Sequence, residues 1–367
     1  MLNQRVVQIF DQKKEENLHR VLKSFGVKVF SIEVEEGEYF DNYNLRLAPG
    51  VRHSKVDRLL TDIGLAISAH SVPIGYPVMK TGSYVIEVQT KEIDSPSFLD
   101  IYSNFKKDQL APIAIGRDNS GDGFYVDLNT VPNLLVGGTT GSGKSMLLHS
   151  FVLSLLATRA KIYLVDPKMV EFGLYEGLSG IQSISNSVEE TEAVINEVRD
   201  IMEKRFDLLK RNNCRNISEY NNFSGKSPLK PVVIIVDEWA DIVLQKRDIQ
   251  KPLCFLAQKG RAAGISIILA TQRPSSSVIS GLVKANFPGR IAMKVASAID
   301  SRVILDKKGA EDLTDIGTGL YLDGRLSEPV LFRAPLLSSL NEEIESLSLS
   351  KVNEAKKKKS LWGMFWS

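Results

Sequence analysis

Residues 138–145 read Gly-Thr-Thr-Gly-Ser-Gly-Lys-Ser and match the pattern GxxxxGK followed by Ser or Thr. The short apolar run Asn133–Val136 precedes this stretch, and the helical pattern Ser145–Ala157 follows it. A strand, a glycine-rich turn and a helix in this order form a phosphate-binding loop, in which backbone amides and the positive helix end hold phosphate oxygens. The stretch therefore predicts a nucleotide site. The alternative, an ordinary glycine-rich turn, fits this context poorly.

The residue types in this loop are those that bind Mg·ATP in phosphate-binding loops. We expect Lys144 to neutralise charge on the β- and γ-phosphates and the Ser145 hydroxyl to bind Mg²⁺. Glycines let the backbone approach a phosphate without clashes of Cβ atoms. The predicted ATP-binding residues are Gly138, Thr139, Thr140, Gly141, Ser142, Gly143, Lys144 and Ser145.

A second apolar run, Val232–Val236, ends in two carboxylates, Asp237 and Glu238. We expect Asp237 to hold Mg²⁺ through water and Glu238 to orient and deprotonate the attacking water. A glutamate at this position favours hydrolysis over a passive nucleotide switch. Gln272 follows the next predicted strand, Ser266–Ala270, and we expect it to sense the γ-phosphate; the alternative is an ordinary polar strand end.

From Ala111 onwards, short β-branched runs alternate with helical patterns, which predicts a mostly parallel sheet with crossover helices. The residues before it have shorter, mixed patterns that predict a small α+β unit. We therefore predict three parts: a small α+β domain at 1–110, an α/β ATPase domain at 111–340 and a flexible tail at 341–367. The predicted helices are Asn3–Phe25, Ser54–Ala69, Ser145–Ala157 and Ser187–Lys210. The predicted strands are Val27–Val34, Tyr39–Leu47, Ser83–Val88, Leu134–Val136, Lys161–Val165, Val232–Val236, Ser266–Ala270, Arg290–Val295 and Gly319–Leu322.

The composition is that of an ordinary globular protein, with 43% hydrophobic and 25% charged residues and a net charge of +2. Near-neutrality does not exclude a nucleic-acid partner, because a motor needs only a local basic lining. The two cysteines, Cys214 and Cys254, form no zinc-binding pattern, and their low number fits a reducing compartment. No secretory leader and no apolar run of about 18 residues is visible. We therefore expect a cytoplasmic location.

Further stretches resemble the FtsK/SpoIIIE DNA translocases. The resemblance covers roughly residues 27–335 and includes the segment Leu47–Ala66 ahead of the ATPase motifs. The ordered set of motifs is specific. The resembling stretches of the motor are Leu135–Ser145, Val165–Met169, Tyr175–Gly177, Glu203–Phe206, Arg215–Ile217, Asp237–Asp241, Ala257–Ile265, Ala270–Ser275, Val278–Asn286 and Ile299–Arg302.

The resemblance implies a RecA-like P-loop ATPase domain, preceded by a small ring-forming α+β domain, in a homohexamer that threads double-stranded DNA. It implies that Arg261 is an arginine finger for the neighbouring subunit's ATP; the alternative is an arginine that stabilises a helix end. It also implies DNA-phosphate contacts by Arg273, Arg302 and, more weakly, Lys284, for which surface salt bridges are the alternative. Ala298 stands where the family usually has a lysine, so one such contact is missing.

Two segments are open to several interpretations. Asp166 and Lys168 follow the predicted strand Lys161–Val165 at the functional edge of the sheet, where a structural ion pair is as good an interpretation as chemistry. The tail combines the lysines Lys356–Lys359 with the aromatic end Leu361–Trp366. It predicts an anchor at the inner membrane surface or a docking peptide for a partner protein, against a solvated lysine run.

The resemblance also indicates which domains of the family we expect to be absent and which alternative functions are open. We expect neither the membrane domain nor the C-terminal winged helix of the family, because only about 30 residues follow Pro335. One alternative function is translocation of protein by a motor of the same type, as in type VII secretion. Another is a nucleotide-gated scaffold on DNA that does not pump.

Overall fold

The computed structural model describes residues 14–37, 39–70, 72–91, 95–105, 109–223, 227–337 and 343–344. The predicted tail lies outside these residues apart from 343 and 344, so its contacts stay predictions. The described strands form two sheets, one of four strands within residues 29–89 and one of ten strands within residues 112–333. Within the described residues, every helix is too short or too polar to cross a membrane.

The small sheet is antiparallel and has the strand order β1-β2-β4-β3. Helix α1 covers 14–24 of the described residues and ends at Gly26, whose φ of +67° suits glycine, as the sequence predicts. The strands are β1 (Val29–Glu36), β2 (Phe40–Leu47), β3 (Ile74–Val78) and β4 (Ser83–Gln89), and the other helices are α2 (His53–Asp57) and α3 (Leu60–Ile67). Their buried side chains include Leu18, Leu22, Leu45, Val56, Ile63 and Ile86.

The single helix predicted at 54–69 is wrong, because the chain turns at Arg58 and Leu59 between α2 and α3. The carboxylate of Asp57, the last residue of α2, accepts a hydrogen bond from the Tyr84 hydroxyl on β4. This contact ties α2 to the sheet. The apolar periodicity continues through the turn because α2 and α3 both pack on the same sheet.

The large sheet has a parallel half and an antiparallel half in the order β6-β5-β14-β13-β12-β7-β11-β10-β8-β9. The strands from β12 to β9 pair in parallel, and the remainder pair antiparallel. The strands are β5 (Pro112–Asp118), β6 (Gly123–Asp127), β7 (Asn133–Gly137), β8 (Lys161–Val165), β9 (Ile181–Ser185), β10 (Val232–Val236), β11 (Ile265–Thr271), β12 (Gly289–Met293), β13 (Thr318–Leu322) and β14 (Val330–Arg333).

Helices cover both faces of the large sheet. Val232, Ile234 and Val236 of β10 pack into the core on one face, while Val233 and Ile235 pack into the core on the other. Burial on both faces explains the continuous apolar runs seen in the sequence. The helices are α4 (Phe98–Tyr102), α5 (Lys144–Ala157), α6 (Val188–Arg211), α7 (Ile217–Asn221), α8 (Trp239–Val243), α9 (Gln250–Lys259), α10 (Gly281–Asn286) and α11 (Ala298–Leu305).

The two sheets are joined by side-chain contacts. Asn119, in the turn after β5, donates from Nδ2 to Glu87 Oε2 on β4 over 2.8 Å. Arg117 of β5 donates to the Tyr39 hydroxyl over 3.3 Å. Tyr39 is buried in the same core as the parallel strands, so the small domain packs directly on the large one.

Candidate functional site

The predicted nucleotide loop lies between β7 and α5, at the carboxyl edge of the parallel strands. Register places Gly137, the last residue of β7, beside Thr271 at the end of β11. Val236 of β10 pairs with Leu269 on one side and with Val165 of β8 on the other. Four strands therefore deliver the residues that follow them to one edge, as the parallel topology requires.

Two glycines of the loop have backbone conformations that L side chains rarely adopt. Gly141 has a φ of +78° and Gly143 a φ of +98°. A Cβ atom on Gly143 would come within 2.9 Å of the backbone of Gly317, and one on Gly138 would come within 2.7 Å of Ser142 Oγ. At Gly138 and Gly143 the loop therefore packs too closely against other atoms for a side chain to fit.

The loop is also braced by the segment that leads from β12 to β13. The amide of Gly317 donates to the Ser142 carbonyl over 2.9 Å. The amide and hydroxyl of Thr139 both donate to the Lys294 carbonyl, over 2.9 and 3.0 Å. The same segment contains α11, so the nucleotide loop and the predicted DNA-contact helix are mechanically joined.

Lys144 is bound to the second predicted motif. Its side chain is 2% exposed, and Nζ donates to Asp237 Oδ1 over 2.6 Å and to the Asp237 carbonyl over 2.8 Å. The ammonium group thus occupies the position of a cation beside the carboxylate that we expect to face Mg²⁺. ATP phosphates would offer Lys144 a stronger partner and free this carboxylate.

Glu238 is held by donors at the end of β11 and in the first turn of α8. Its Oε1 accepts from the Thr271 hydroxyl over 2.6 Å and from the Ala240 amide over 3.2 Å. Its Oε2 accepts from the Gln272 amide over 2.9 Å. The Gln272 side chain in turn accepts from the Thr140 hydroxyl over 2.6 Å, which links the γ-phosphate sensor predicted from the sequence to the nucleotide loop.

Glu171, a carboxylate that the sequence motifs do not indicate, accepts a hydrogen bond from the Ser145 hydroxyl. Ser145 Oγ donates to Glu171 Oε1 over 2.8 Å, and His149 Nε2 lies 3.3 Å from Glu171 Oε2. The hydrogen bond from His149 lowers the pKa of Glu171 against the effect of partial burial, and Ser145 and the charge of Lys144 add to this. The signal in the sequence is weak: Ser145 and His149 are four residues apart and share a helix face.

Asp166 and Lys168 shape the loop that carries Glu171. Asp166 is fully buried; its Oδ2 accepts from the amides of Glu171 and Phe172, both over 2.9 Å, and its Oδ1 from the Lys168 amide over 3.2 Å. The Lys168 side chain lies 3.5 Å from Asp241 on α8. Asp166 therefore anchors a loop rather than forming an ion pair, whereas Lys168 does form one.

Arg261 lies at the opposite edge of the sheet from Lys144. It belongs to the turn Gly260–Ala263, which leads into the first residue of β11, whereas the nucleotide site lies at the end of that strand. Seven residues of β11 span about 20 Å. Arg261 is exposed and cannot reach the nucleotide site of its own chain, and its predicted action across a subunit interface stays a prediction.

The three predicted DNA contacts differ in how they are bound. Arg273 and Arg302 are exposed, and within the described residues their side chains have no ion pair. Lys284 instead forms an ion pair with Asp306, which also binds Arg290. Burial raises the pKa of the Asp306 carboxyl, but these two cations outweigh that effect and hold the pKa below its usual range. The salt-bridge alternative therefore describes Lys284 in this structure.

The residues at this edge suit ATP with Mg²⁺. The Ser145 hydroxyl and the Asp237 carboxylate are hard oxygen donors of the kind Mg²⁺ takes, and a bound cation would polarise the phosphate oxygens. The buried Ser142 hydroxyl has no hydrogen-bond partner among the described residues, and the glycine loop provides the cradle for a phosphate. Within the described residues, no cluster of three His, Cys, Asp or Glu side chains forms a separate metal site.

Comparisons with known proteins identify relatives of both parts of the chain. The sequence pattern of the FtsK/SpoIIIE family matches residues 102–276, and that of the FtsK alpha domain matches residues 4–89. Both parts of the chain thus match parts of one protein type.

Curated relatives match nearly the whole chain. The DNA translocase FtsK of Halalkalibacterium halodurans is 36% identical over 363 residues, which cover 94% of this chain and 46% of the relative. The DNA translocase SpoIIIE of Bacillus subtilis is 35% identical over 348 residues, which cover 90% of this chain and 44% of the relative. The chain thus spans about half the length of the curated relatives it matches.

Solved structures share the fold. The conjugation coupling protein TcpA of pCW3, solved as a monomer with ATPγS, matches with a TM-score of 0.66 at 23% identity, covering 91% of this chain and 99% of TcpA. The cytoplasmic domain of the type VII secretion ATPase EccC of Thermomonospora curvata matches with a TM-score of 0.57 at 26% identity, covering 64% of this chain and 30% of EccC.

Proposed function

Because the chain belongs to the FtsK/SpoIIIE family, we propose that it is an ATP-driven motor subunit that moves double-stranded DNA through a homohexameric ring. The convergence of Lys144, Asp237 and Glu238 at one sheet edge is the observation that carries the hydrolytic part of this proposal. The match to DNA translocases over both domains supports DNA as the substrate.

In the proposed reaction, Lys144 binds the phosphates of ATP. Asp237 and Ser145 would hold Mg²⁺, which would neutralise charge on the phosphate oxygens. Glu238 accepts a proton from the attacking water. Gln272 lies between this glutamate and the nucleotide loop, so it is placed to respond to the γ-phosphate. The contacts with Thr271 and Gln272 tie Glu238, which follows β10, to the end of β11.

The proposal assigns Arg261 to the neighbouring subunit's ATP. A cation supplied across the interface stabilises the negative charge of the transition state and makes hydrolysis dependent on assembly. Arg273 and Arg302, both exposed, are assigned to DNA phosphates, where they give affinity without sequence recognition.

Hydrolysis of ATP with and without linear double-stranded DNA tests this proposal. We expect strong stimulation by duplex, weaker stimulation by single strands and no hydrolysis by Lys144→Ala. Replacing both Arg273 and Arg302 with Gln should weaken duplex stimulation and flatten its salt dependence. ATP hydrolysis that duplex does not stimulate at low salt would contradict DNA as the substrate.

Translocation of polypeptide is the second candidate, because a secretion ATPase shares the fold. That match covers 64% of the chain, whereas the DNA translocases cover about 90%. Addition of unfolded polypeptide in place of duplex distinguishes the two substrates in the same assay.

A DNA-bound scaffold is distinguished by Glu238→Gln. We expect this variant to bind ATP and to lose hydrolysis and DNA movement, whereas a scaffold would keep its function.

A further inference from the structure

The carboxylate of Glu171 accepts a hydrogen bond from the Ser145 hydroxyl, the group that we expect to bind the metal. It comes from the loop after β8, the strand that pairs with β10, and β10 delivers both Asp237 and Glu238. A hydroxyl that offers lone pairs to a cation keeps its proton and can donate it to a nearby acceptor. Glu171 Oε1 provides that acceptor at 2.8 Å from Ser145 Oγ.

We propose that Glu171 is a further acidic residue of the Mg·ATP site, a positioning residue that holds the Ser145 hydroxyl so that its lone pairs face the cation. The inference rests on the proposed ATPase function and adds to it a residue that determines how tightly the metal is held. The negative charge of Glu171 beside the site also favours a divalent cation there.

The side chains behind Glu171 orient it. An ionised carboxylate only accepts hydrogen bonds, so His149 must carry its proton on Nε2 and donate to Glu171 Oε2, 3.3 Å away. His149 Nδ1 shares a hydrogen bond of 2.9 Å with the buried Tyr175 hydroxyl. His149 is 4% exposed and Tyr175 is fully buried, so the side chains that orient Glu171 are shielded from water.

The backbone of Glu171 is fixed as well. Its amide and that of Phe172 both donate to the buried Asp166 carboxylate at the end of β8. Glu171 is therefore held through its main chain and by His149, and its remaining oxygen is aimed at Ser145. A glutamate that served only to pair with His149 would not need this second oxygen on the nucleotide loop.

Metal binding in the presence of nucleotide tests the inference without measuring catalysis. The full chain is titrated with Mg²⁺ in the presence of a fluorescent ADP analogue, and with Mn²⁺ and ADP while free Mn²⁺ is followed by electron paramagnetic resonance. For Glu171→Gln we expect the half-saturating concentration of either cation to rise about 10- to 100-fold, the usual effect of losing an outer-shell partner of a metal ligand. Nucleotide affinity in EDTA should stay that of the unaltered chain.

Three further variants sharpen the test. Glu176→Gln changes an exposed glutamate on the same loop and should leave both titrations unchanged. Glu171→Asp keeps the charge and should recover part of the affinity. His149→Phe keeps an aromatic ring but removes the donor, and it should raise the half-saturating concentration by less than Glu171→Gln does.

The outcomes separate the inference from the function on which it rests. Cation affinities of the unaltered chain in Glu171→Gln, with a lower unfolding temperature, would assign Glu171 to loop stability alone and overturn the inference. Should Glu171→Gln fail to fold, unchanged cation affinities in His149→Phe would show that the hydrogen bond to Glu171 does not affect the metal, and would overturn the inference. Absence of nucleotide binding by the unaltered chain, in any cation, would overturn the ATPase proposal itself and the inference with it.

Discussion

The side chains that we expect to act on ATP are bound to other groups of the chain. Lys144 is bound to Asp237, Ser145 to Glu171, and Glu238 to Thr271. Each pair joins segments that are far apart in sequence, so the site is held together by its own charges and hydroxyls. Entry of ATP therefore exchanges internal partners for phosphate and metal, and no large desolvation of free charges is required.

Asp166 provides a residue-scale prediction about stability. Asp166→Asn would replace one acceptor oxygen of a fully buried side chain with an amide group that cannot accept from the backbone amides it faces. Leaving buried donors unpaired costs about 1–3 kcal/mol each, so we expect the free energy of unfolding to fall by roughly 2–3 kcal/mol. Urea unfolding measures it, with Asp200→Asn on the exposed face of α6 as the matched control. Equal stability of Asp166→Asn and the control would contradict the anchoring role.

The parallel core could be predicted from the sequence at the element scale because its strands are buried on both faces and therefore form continuous apolar runs. Lys161–Val165 and Val232–Val236 lie within the predicted bounds. The sequence does not indicate strand β3, because it contains Gly75 and Pro77, two residue types with low strand propensity. Pairing with β4 stabilises this strand in the fold. Strand β9 was missed because it is a short edge strand.

Only part of the candidate site could be predicted from the sequence. The nucleotide loop, Asp237 and Glu238 follow from motifs that are contiguous in sequence. Glu171 and the anchoring by Asp166 could not be predicted, because their meaning lies in contacts between α5 and the loop after β8. Sequence spacing specifies partners within one helix or strand but not between elements that the chain brings together only on folding.

Helix α6 carries a buried cation that supports the segment of Arg261. Arg205 is 7% exposed and donates to the carbonyls of Ala263 and Lys230, both over 2.6 Å. Burial lowers the pKa of Arg205 to about 10. The Ala263 carbonyl ends the turn that holds Arg261, and the Lys230 carbonyl lies just before β10. Arg205 therefore joins two segments at the amino edge of the sheet.

Replacing Arg205 tests this support at the element scale. Arg205→Met keeps much of the side-chain volume but leaves both buried carbonyls without a donor, and we expect a loss of about 2–4 kcal/mol in the free energy of unfolding. Urea unfolding measures the loss, and Arg199→Met on the exposed face of the same helix is the control. A variant as stable as this control would show that the carbonyls find other partners.

The contact between the two domains predicts a pH dependence for the whole molecule. Burial raises the pKa of Glu87 above its ordinary value of 4.5, against the hydrogen bonds from Tyr76 and Asn119. Because the folded state holds this proton more tightly than the unfolded state, the contribution of Glu87 to stability is present below pH 4.5 and is lost as the pH rises through the raised pKa. The contribution of Glu87 to the stability of the fold is thus smallest above its raised pKa.

Glu87→Gln should remove this loss. Asn119 Oδ1 is buried and has no partner among the described residues, so it can accept from the new amide once the Asn119 side chain turns over. We expect the free energy of unfolding of Glu87→Gln, relative to the unaltered chain, to increase between pH 4 and pH 7. Urea unfolding at both pH values measures it, with Glu33→Gln as an exposed control. A constant difference across this range would contradict a raised pKa.

The position of Arg261 leads to a prediction about the assembled molecule, because the length of β11 separates it from the nucleotide site of its own chain. Arg261→Ala should reduce hydrolysis about 10³-fold, as loss of an arginine finger does. Lys144→Ala should be inactive but keeps its own Arg261. When the two inactive variants are mixed in equal amounts and allowed to exchange subunits, about a quarter of the interfaces join an intact Lys144 site to an intact Arg261, and hydrolysis should recover in that proportion. Mixing Arg261→Ala with a chain that carries both substitutions should recover nothing. If the first mixture also stays inactive although gel filtration shows mixed assemblies, Arg261 does not act across the interface, and the one-sided placement of this arginine needs another explanation.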